Sequence, residues 1–212
     1  MPRKHIGGRR KLQGFHVFNQ GAKVDGRPRR VFVDKEDKRY FLWLVARHLS
    51  PTPKRDARGR PFLHLRLKLT LIAFNVMTTH FHLIVWQHSE GAVAALMNRV
   101  KSSYTRYFNE KYGNTQPLFN GRVQSKEIDS PKYFKWLVGY VHDNHPDGFE
   151  YEFSSHRAWI DEDECPDWLD PAPGLRVFGG VDDYKTYLND RASRKRLDSK
   201  LGFTRKQAGN LP

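Results

Sequence analysis

The sequence predicts an α+β domain built on an antiparallel sheet. Leucines alternate with polar residues from Leu63 to Leu71, a period of two that is typical of a strand with one buried face. A second run, residues 80–86 (HFHLIVW), follows after a short connection that ends in residues 76–79. We expect these two runs to form a β-hairpin, with His80 near the start of the return strand. Segments with helical spacing surround this hairpin and supply the α component.

The first elements follow from local signals. Order should begin near Gly14, where residues 15–18 (FHVF) favour a short strand, and a loop rich in Gly and Arg follows through Arg30. Asp34 is a suitable N-cap for a helix of about 15 residues, because apolar residues recur at helical spacing until Ser50 and Pro51 end it.

Two more helices are predicted downstream. Residues 90 to about 112 carry a long apolar stripe and end at a Gly-Asn pair, and residues 117–128 read as a loop that leads into a short strand. A third helix should run from Pro131 to about Asn144, started by Asp-Ser-Pro. Trp136, Tyr140 and Asn144 are spaced by four residues and should share one face of it.

We divide the chain of 212 residues into three parts. Residues 1–13 form a basic arm, residues 14–178 a single folded domain, and residues 179–212 a basic C-terminal tail with a short helix at about 182–189. Each basic terminus could lie along phosphates or be disordered, and the sequence leaves both readings open.

Charge points to a polyanionic partner. Lysine and arginine number 37 against 23 acidic residues, which gives a net charge of +14. Such an excess attracts nucleic acid, although a basic surface could also serve solubility, a ribosomal role or a membrane surface. A lone cysteine, Cys165, excludes an intramolecular disulfide and a cysteine-rich zinc site. With no apolar segment long enough for a signal peptide or a membrane span, we expect a soluble cytoplasmic protein.

One constellation suggests chemistry. His80 and His82 alternate along a strand, so both imidazoles point to one face and can share a cation. A third ligand must come from elsewhere, and the later helix offers the amide oxygen of Asn144 one turn from the phenol of Tyr140. That oxygen suits a hard cation such as Mg²⁺ or Mn²⁺. Each feature alone is common in proteins without a site, since a His-x-His is often incidental and Tyr140 could be a core residue.

The order of several motifs resembles a known family. VMTTHFHLIV, SSYTRYFN, LFNGRVQSKEID and YFKWLVGYVHDNHP occur in the order found in single-tyrosine HUH transposases of the REP-associated type. The His-hydrophobic-His motif of that family matches residues 80–82, and its Tyr-x-x-x-Asn motif matches Tyr140 and Asn144. The resemblance runs from about Gly14 to Phe178.

The resemblance implies a fold and a reaction. The fold is a ferredoxin-like HUH nuclease fold, an antiparallel sheet with helices packed on one face and the tyrosine helix facing the metal. Tyr140 is then the nucleophile, and it leaves a 5′-phosphotyrosine and a free 3′-hydroxyl, while Mg²⁺ or Mn²⁺ on His80, His82 and Asn144 polarises the scissile phosphate. The implied partner is single-stranded DNA with hairpin elements, and members of the family act as monomers or homodimers.

Departures from the family pattern concern the same residues. His145 stands between Asn144 and Pro146, where the family usually has Asn-Pro directly, and Thr78-Thr79 replaces a common Pro-Asn. His145 could turn Asn144 away from the metal, or His145 or His142 could substitute for it. Tyr104 and Tyr107 are competing tyrosines on the second helix.

Basic side chains near these motifs are candidates for DNA contacts. Two are predicted on the exposed face of the first hairpin strand, two on the long helix and two after it: Arg66, Lys68, Lys101, Arg106, Arg122 and Lys126. Two rival functions remain: a nucleic-acid-binding protein that keeps the fold without catalysis, and a metal phosphodiesterase that uses water. The second would leave the spacing of Tyr140 and Asn144 unexplained.

Overall fold

Six strands, six α-helices and one short 3-10 helix (Gly148–Glu150) make up the part of the chain that the computed structural model describes, residues 13–200, with side chains described through residue 192. The rest of the predicted N-terminal arm, residues 1–12, and residues 201–212 of the predicted tail lie outside it. In chain order the elements are β1 (Gln13–Gln20), β2 (Lys23–Val24), β3 (Arg27–Pro28), α1 (Lys35–Leu49), β4 (Leu69–Val76), β5 (His80–Gln87), α2 (Ala92–Tyr112), β6 (Gln124–Ile128), α3 (Pro131–His142), α4 (His156–Ile160), α5 (Ala172–Phe178) and α6 (Val181–Lys200).

The main sheet has four strands in the order β4-β5-β1-β6, and every neighbouring pair is antiparallel. Along the chain these strands alternate with α1 and α2 as β-α-β-β-α-β. That connectivity with that strand order is the ferredoxin-like arrangement. The predicted α+β class and antiparallel sheet are therefore confirmed.

Helices cover both faces of the sheet, so the expectation of helices on one face was wrong. α1 and α2 pack on the face that carries Phe81, Leu83 and Val85, while α3 to α6 enclose a second core around Ile84 on the other face. The reason lies in the strands, because β4 and β5 are apolar on both sides and each side must be buried. The site described below lies on the second face.

The first hairpin strand begins six residues later than predicted. Residues 66–68 form a turn in which Leu67 is 87% exposed, and β4 starts at Leu69. The carbonyl of Leu65 accepts hydrogen bonds from the backbone of Lys68 and Leu69, which closes this turn. The leucine alternation was therefore misleading, whereas the true strand LTLIAFNV is almost continuously buried and carries no alternating signal.

The helix starts were predicted well and two helix ends were not. Asp34 caps α1 in a capping box with Asp37, and Ser130 caps α3. α3 ends at His142, two residues before Asn144, and α6 is much longer than the short helix predicted at 182–189.

α6 joins the domain instead of standing apart as a tail. Tyr184 and Leu188 are buried in the second core, and the Tyr184 hydroxyl lies 2.7 Å from His142 Nδ1. His142 Nε2 contacts the Ser155 hydroxyl at 2.8 Å, so α3 is tied to both later segments. None of the described helices is both long enough and apolar enough to span a bilayer.

Candidate active site

Two histidines at the start of β5 form the centre of the candidate site. His80 and His82 project to the second face with ring centroids 5.1 Å apart. His80 Nδ1 lies 2.9 Å from the Thr79 hydroxyl, and His82 Nδ1 lies 2.9 Å from His16 Nε2. Both Nδ1 atoms thus have hydrogen-bond partners, which fix the orientations of the rings and leave the Nε2 atoms for other partners.

His16 was not singled out from the sequence, although it touches His82. It lies on β1, where it pairs with Ile84 in the antiparallel register and so sits diagonally beside His82 on the same face. A register between strands 66 residues apart cannot be read from local pattern. The sequence indicated only that His16 lies within a short predicted strand.

Burial keeps these imidazoles neutral. Desolvation, with smaller contributions from His16 and His80, lowers the pKa of His82 to about 2. Desolvation and then the charge of Lys126 lower the pKa of His16 to about 4, and burial also lowers the pKa of His80. At neutral pH each ring therefore keeps one unprotonated nitrogen, as a bound cation requires.

Tyr140 and Asn144 reach the same place from α3 and the residues after it. The Tyr140 ring meets the His82 ring edge to face, with centroids 5.4 Å apart. Asn144 Nδ2 lies 3.2 Å from His80 Nε2, even though the helix has already ended. An open cavity of about 490 Å³ is lined by Phe18, Asn19, Gln20, His80, His82, Asn120, Gln124 and Tyr140.

The residues that could have upset this geometry lie elsewhere. The His145 ring stacks on Tyr151 with centroids 3.6 Å apart, so Asn144 keeps its place beside His80. His142 is fully buried, and its ring nitrogens contact the hydroxyls of Tyr184 and Ser155 away from the cavity.

The competing tyrosines belong to the opposite face of the sheet. The Tyr104 hydroxyl donates to the Val31 carbonyl at 2.6 Å, and the Tyr107 hydroxyl donates to Asp37 at 3.0 Å. Both side chains are packed with α1 and α2, so Tyr140 is the tyrosine that the fold brings to the histidines.

The donor set fits a divalent cation with an amide ligand. His82 Nε2 is buried and has no hydrogen-bond partner among the described residues, which is costly unless something binds it. Across residues 13–192 no group of three His, Cys, Asp or Glu side chains could hold a metal. The amide of Asn144 lies beside His80 and also carries an oxygen, which makes it a candidate for a third ligand.

The predicted DNA-binding side chains divide by position. Lys126 lies on β6 opposite His16 on the site face, and Arg122 is exposed in the loop that leads to cavity-lining Gln124. Arg66 and Lys68 lie instead in the turn before β4, at the other end of the sheet and roughly 25 Å of strand length away. The expectation that these two project from a strand face was wrong, because the strand starts after them.

Three of these side chains already have protein partners. Arg66 donates to the carbonyls of Leu49 and Asp167. Lys101 donates to the Gly121 carbonyl, and Arg106 lies 4.0 Å from Glu110 in an exposed pair.

Comparisons with known proteins found a matching family model and a similar solved structure. Residues 63–144, which include His80, His82, Tyr140 and Asn144, match a family model described as "Transposase IS200 like". A solved structure titled "Structure of the REP associates tyrosine transposase bound to a REP hairpin" aligns with a TM-score of 0.49 at 15% identity, over 81% of this chain and 94% of that one. No curated protein matches the chain. The resemblance to transposases is confirmed over residues 63–144.

Proposed function

We propose that this chain, which resembles IS200-like transposases over residues 63–144, cuts and rejoins single-stranded DNA by forming a covalent bond to Tyr140. The cation, Mg²⁺ or Mn²⁺, would be held by His80, His82 and Asn144. One observation carries the proposal: Tyr140, His80 and His82 line one open cavity, Asn144 lies against His80, and the buried Nε2 of His82 has no partner among the described residues.

The chemistry is a transesterification at phosphorus. The Tyr140 oxygen attacks in line, the bond from phosphorus to the 3′-oxygen breaks, and the 3′-oxygen takes up a proton while the phenol loses one. The products are a 5′-phosphotyrosine and a free 3′-hydroxyl, and attack by a 3′-hydroxyl on the adduct rejoins a strand. When bound, the cation would act as a Lewis acid on the scissile phosphate.

The protein residues supply position and neutral ligands. A neutral phenol is a weak nucleophile, so holding Tyr140 against the site in a fixed direction provides much of the activation. The ring of Tyr140 is restrained by edge-to-face contact with His82, and the His82 ring is restrained in turn by His16. We therefore assign His16 a positioning role behind His82.

The proposed substrate is DNA with hairpin elements and single-stranded flanks, as the resemblance implies. Lys126 and Arg122 place positive charge beside the cavity, which suits a strand that passes from β6 toward Tyr140. The cytoplasmic location and the monomeric or dimeric state expected from the sequence stay predictions.

An adduct assay tests the proposal. Hairpin DNA oligonucleotides with single-stranded flanks are incubated with the protein and Mg²⁺ or Mn²⁺, and the mixture is resolved in SDS. We expect the wild-type protein to form an SDS-resistant adduct and Tyr140→Phe to form none. Tyr107→Phe is the matched control, because Tyr107 lies on the opposite face of the sheet and its loss should leave the adduct.

The other outcomes identify the rival functions. An adduct with Tyr140→Phe would mean that another residue is the nucleophile. Cleavage without any adduct would indicate a phosphodiesterase that uses water. Tight DNA binding with neither cleavage nor adduct would indicate a binding protein without catalysis.

A further inference from the structure

Three aromatic rings on α3 form a row that leads into the candidate site. Tyr133, Trp136 and Tyr140 follow one another at helical spacing. The ring planes of Tyr133 and Trp136 make an angle of 15°, and their centroids are 5.9 Å apart. The ring planes of Trp136 and Tyr140 make an angle of 7°, and their centroids are 5.4 Å apart. We call these three residues the aromatic ladder. Rings at such distances and angles are offset, so part of each face stays uncovered.

Core packing does not explain the aromatic ladder. α3 already buries a separate apolar stripe, Phe134, Leu137, Val138 and Val141, in the second core. Trp136 is instead 43% exposed, although tryptophan is usually largely buried. A large exposed ring beside a reactive tyrosine is therefore available to an external partner.

Two cationic side chains flank the aromatic ladder. Lys126 Nζ lies 4.8 Å from the Tyr133 ring centroid, and the Arg191 guanidinium carbon lies 5.9 Å from that of Trp136. The Nε of Arg191 is buried and lacks a hydrogen-bond partner within residues 13–192. Both cations therefore place positive charge beside the aromatic ladder.

Gly139 makes room for Arg191 beside Trp136. A Cβ built at Gly139 would lie 3.0 Å from Cδ of Arg191 and 3.2 Å from Cε1 of Tyr187. A residue with a Cβ at this position would require these two side chains to shift by a few tenths of an ångström.

We propose that Tyr133 and Trp136 form a stacking subsite for the nucleobases of single-stranded DNA next to the phosphate at Tyr140, with Lys126 and Arg191 binding the backbone phosphates. Exposed aromatic faces alternating with cations are the means by which proteins hold single strands, and stacking tolerates any base because every base has a π face. The subsite rests on the proposed function in one respect, because the strand must lie across Tyr140.

A binding experiment tests the subsite without cleavage. All variants are made in a Tyr140→Phe background and measured in EDTA, by fluorescence anisotropy with a labelled single-stranded oligonucleotide of about ten nucleotides. We expect Trp136→Ala to weaken binding about 5- to 100-fold and Trp136→Phe to retain most of it. Replacing Lys126 or Arg191 by Gln should lower the slope of log K against log salt by about one each.

A matched control stands on the opposite face of the sheet. Trp43 on α1 is 49% exposed, stacks on Tyr40 and has Arg47 5.3 Å above its ring, so it offers similar chemistry far from the site. Trp43→Ala should leave the affinity unchanged. Equal affinities of Trp136→Ala and Trp43→Ala would overturn the subsite.

A cycle with abasic DNA locates the stacked base. One nucleotide at a time is replaced by an abasic residue, and each oligonucleotide is measured with and without Trp136→Ala. We expect one or two positions at which the abasic residue weakens DNA binding by the protein that retains Trp136. At the same positions it should not weaken binding by the Trp136→Ala variant any further. Additive effects at every position would show that no base stacks there. Affinity in EDTA does not depend on covalent chemistry, so failure of the adduct assay and failure of the subsite are distinguishable.

Discussion

Acid should destabilise this protein once the pH falls below 6.5, the ordinary pKa of a histidine. His16, His82, His142 and His156 are all buried. Burial lowers the pKa of His16 and of His156 to about 4 and that of His82 to about 2, and it holds the pKa of His142 well below its usual range. The folded protein thus excludes protons that the unfolded chain would bind.

The sign and size follow from proton linkage. The unfolded state, in which a histidine has its ordinary pKa of 6.5, binds more protons, so the free energy of unfolding decreases as the pH falls below that value. At about pH 5.5 each buried imidazole lowers the free energy of unfolding by about 1.4 kcal/mol, and the four together lower it by about 6 kcal/mol. A loss of that size is comparable to the whole stability of a small domain, about 5–15 kcal/mol.

Urea unfolding followed by tryptophan fluorescence measures this dependence, at pH values from about 8 to about 5 in EDTA. We expect the free energy of unfolding to stay constant above about pH 7 and then to fall with a slope of about four protons or more, since burial also lowers the pKa of His48 and of His80. His16→Gln should reduce that slope by one proton, about 1.4 kcal/mol per pH unit, whatever its effect at neutral pH. A free energy of unfolding that stays constant down to about pH 5.5 would refute the reasoning.

Three further predictions concern single side chains. His82→Ala should weaken Mn²⁺ binding, followed by titration calorimetry, by more than the roughly 10- to 100-fold typical of losing an orienting partner, and unchanged affinity would remove this ligand from the site. His145→Ala should still form the SDS-resistant adduct, since the ring stacks on Tyr151; loss of the adduct would show that His145 takes part. Gly174→Ala should lower the free energy of unfolding by about 1–3 kcal/mol, because its Cβ would lie 2.5 Å from Trp159 Cη2, and an unchanged urea midpoint would contradict that packing.

Local signals were sufficient for the helix starts but not for the strand boundaries. Asp34 and Ser130 cap their helices as expected because a cap depends on a few consecutive residues. β4 was placed too early because a strand buried on both faces loses the alternation that marks a half-exposed one. For the same reason the second helical layer was missed, since its need arises from the apolar residues on both sides of β4 and β5.

The candidate site was predictable in its main residues and not in its surroundings. Alternation places His80 and His82 on one face from sequence alone. Asn144 reaches His80 from beyond the end of α3, so the four-residue spacing from Tyr140 identified it although the helix does not extend that far. His16 depends on the register of β1 against β5, and Arg191 depends on how α6 packs over Gly139. Both contacts are set by tertiary packing.

The most direct measurement of the central claim is the identity of the residue that becomes attached to DNA. The SDS-resistant adduct is digested with a protease and a nuclease, and the peptide that carries the nucleotide is sequenced by mass spectrometry. The account predicts a phosphodiester on Tyr140, within the peptide of α3 that continues to Asn144. A nucleotide on any other residue, or a cleaved strand with no modified peptide, would contradict it.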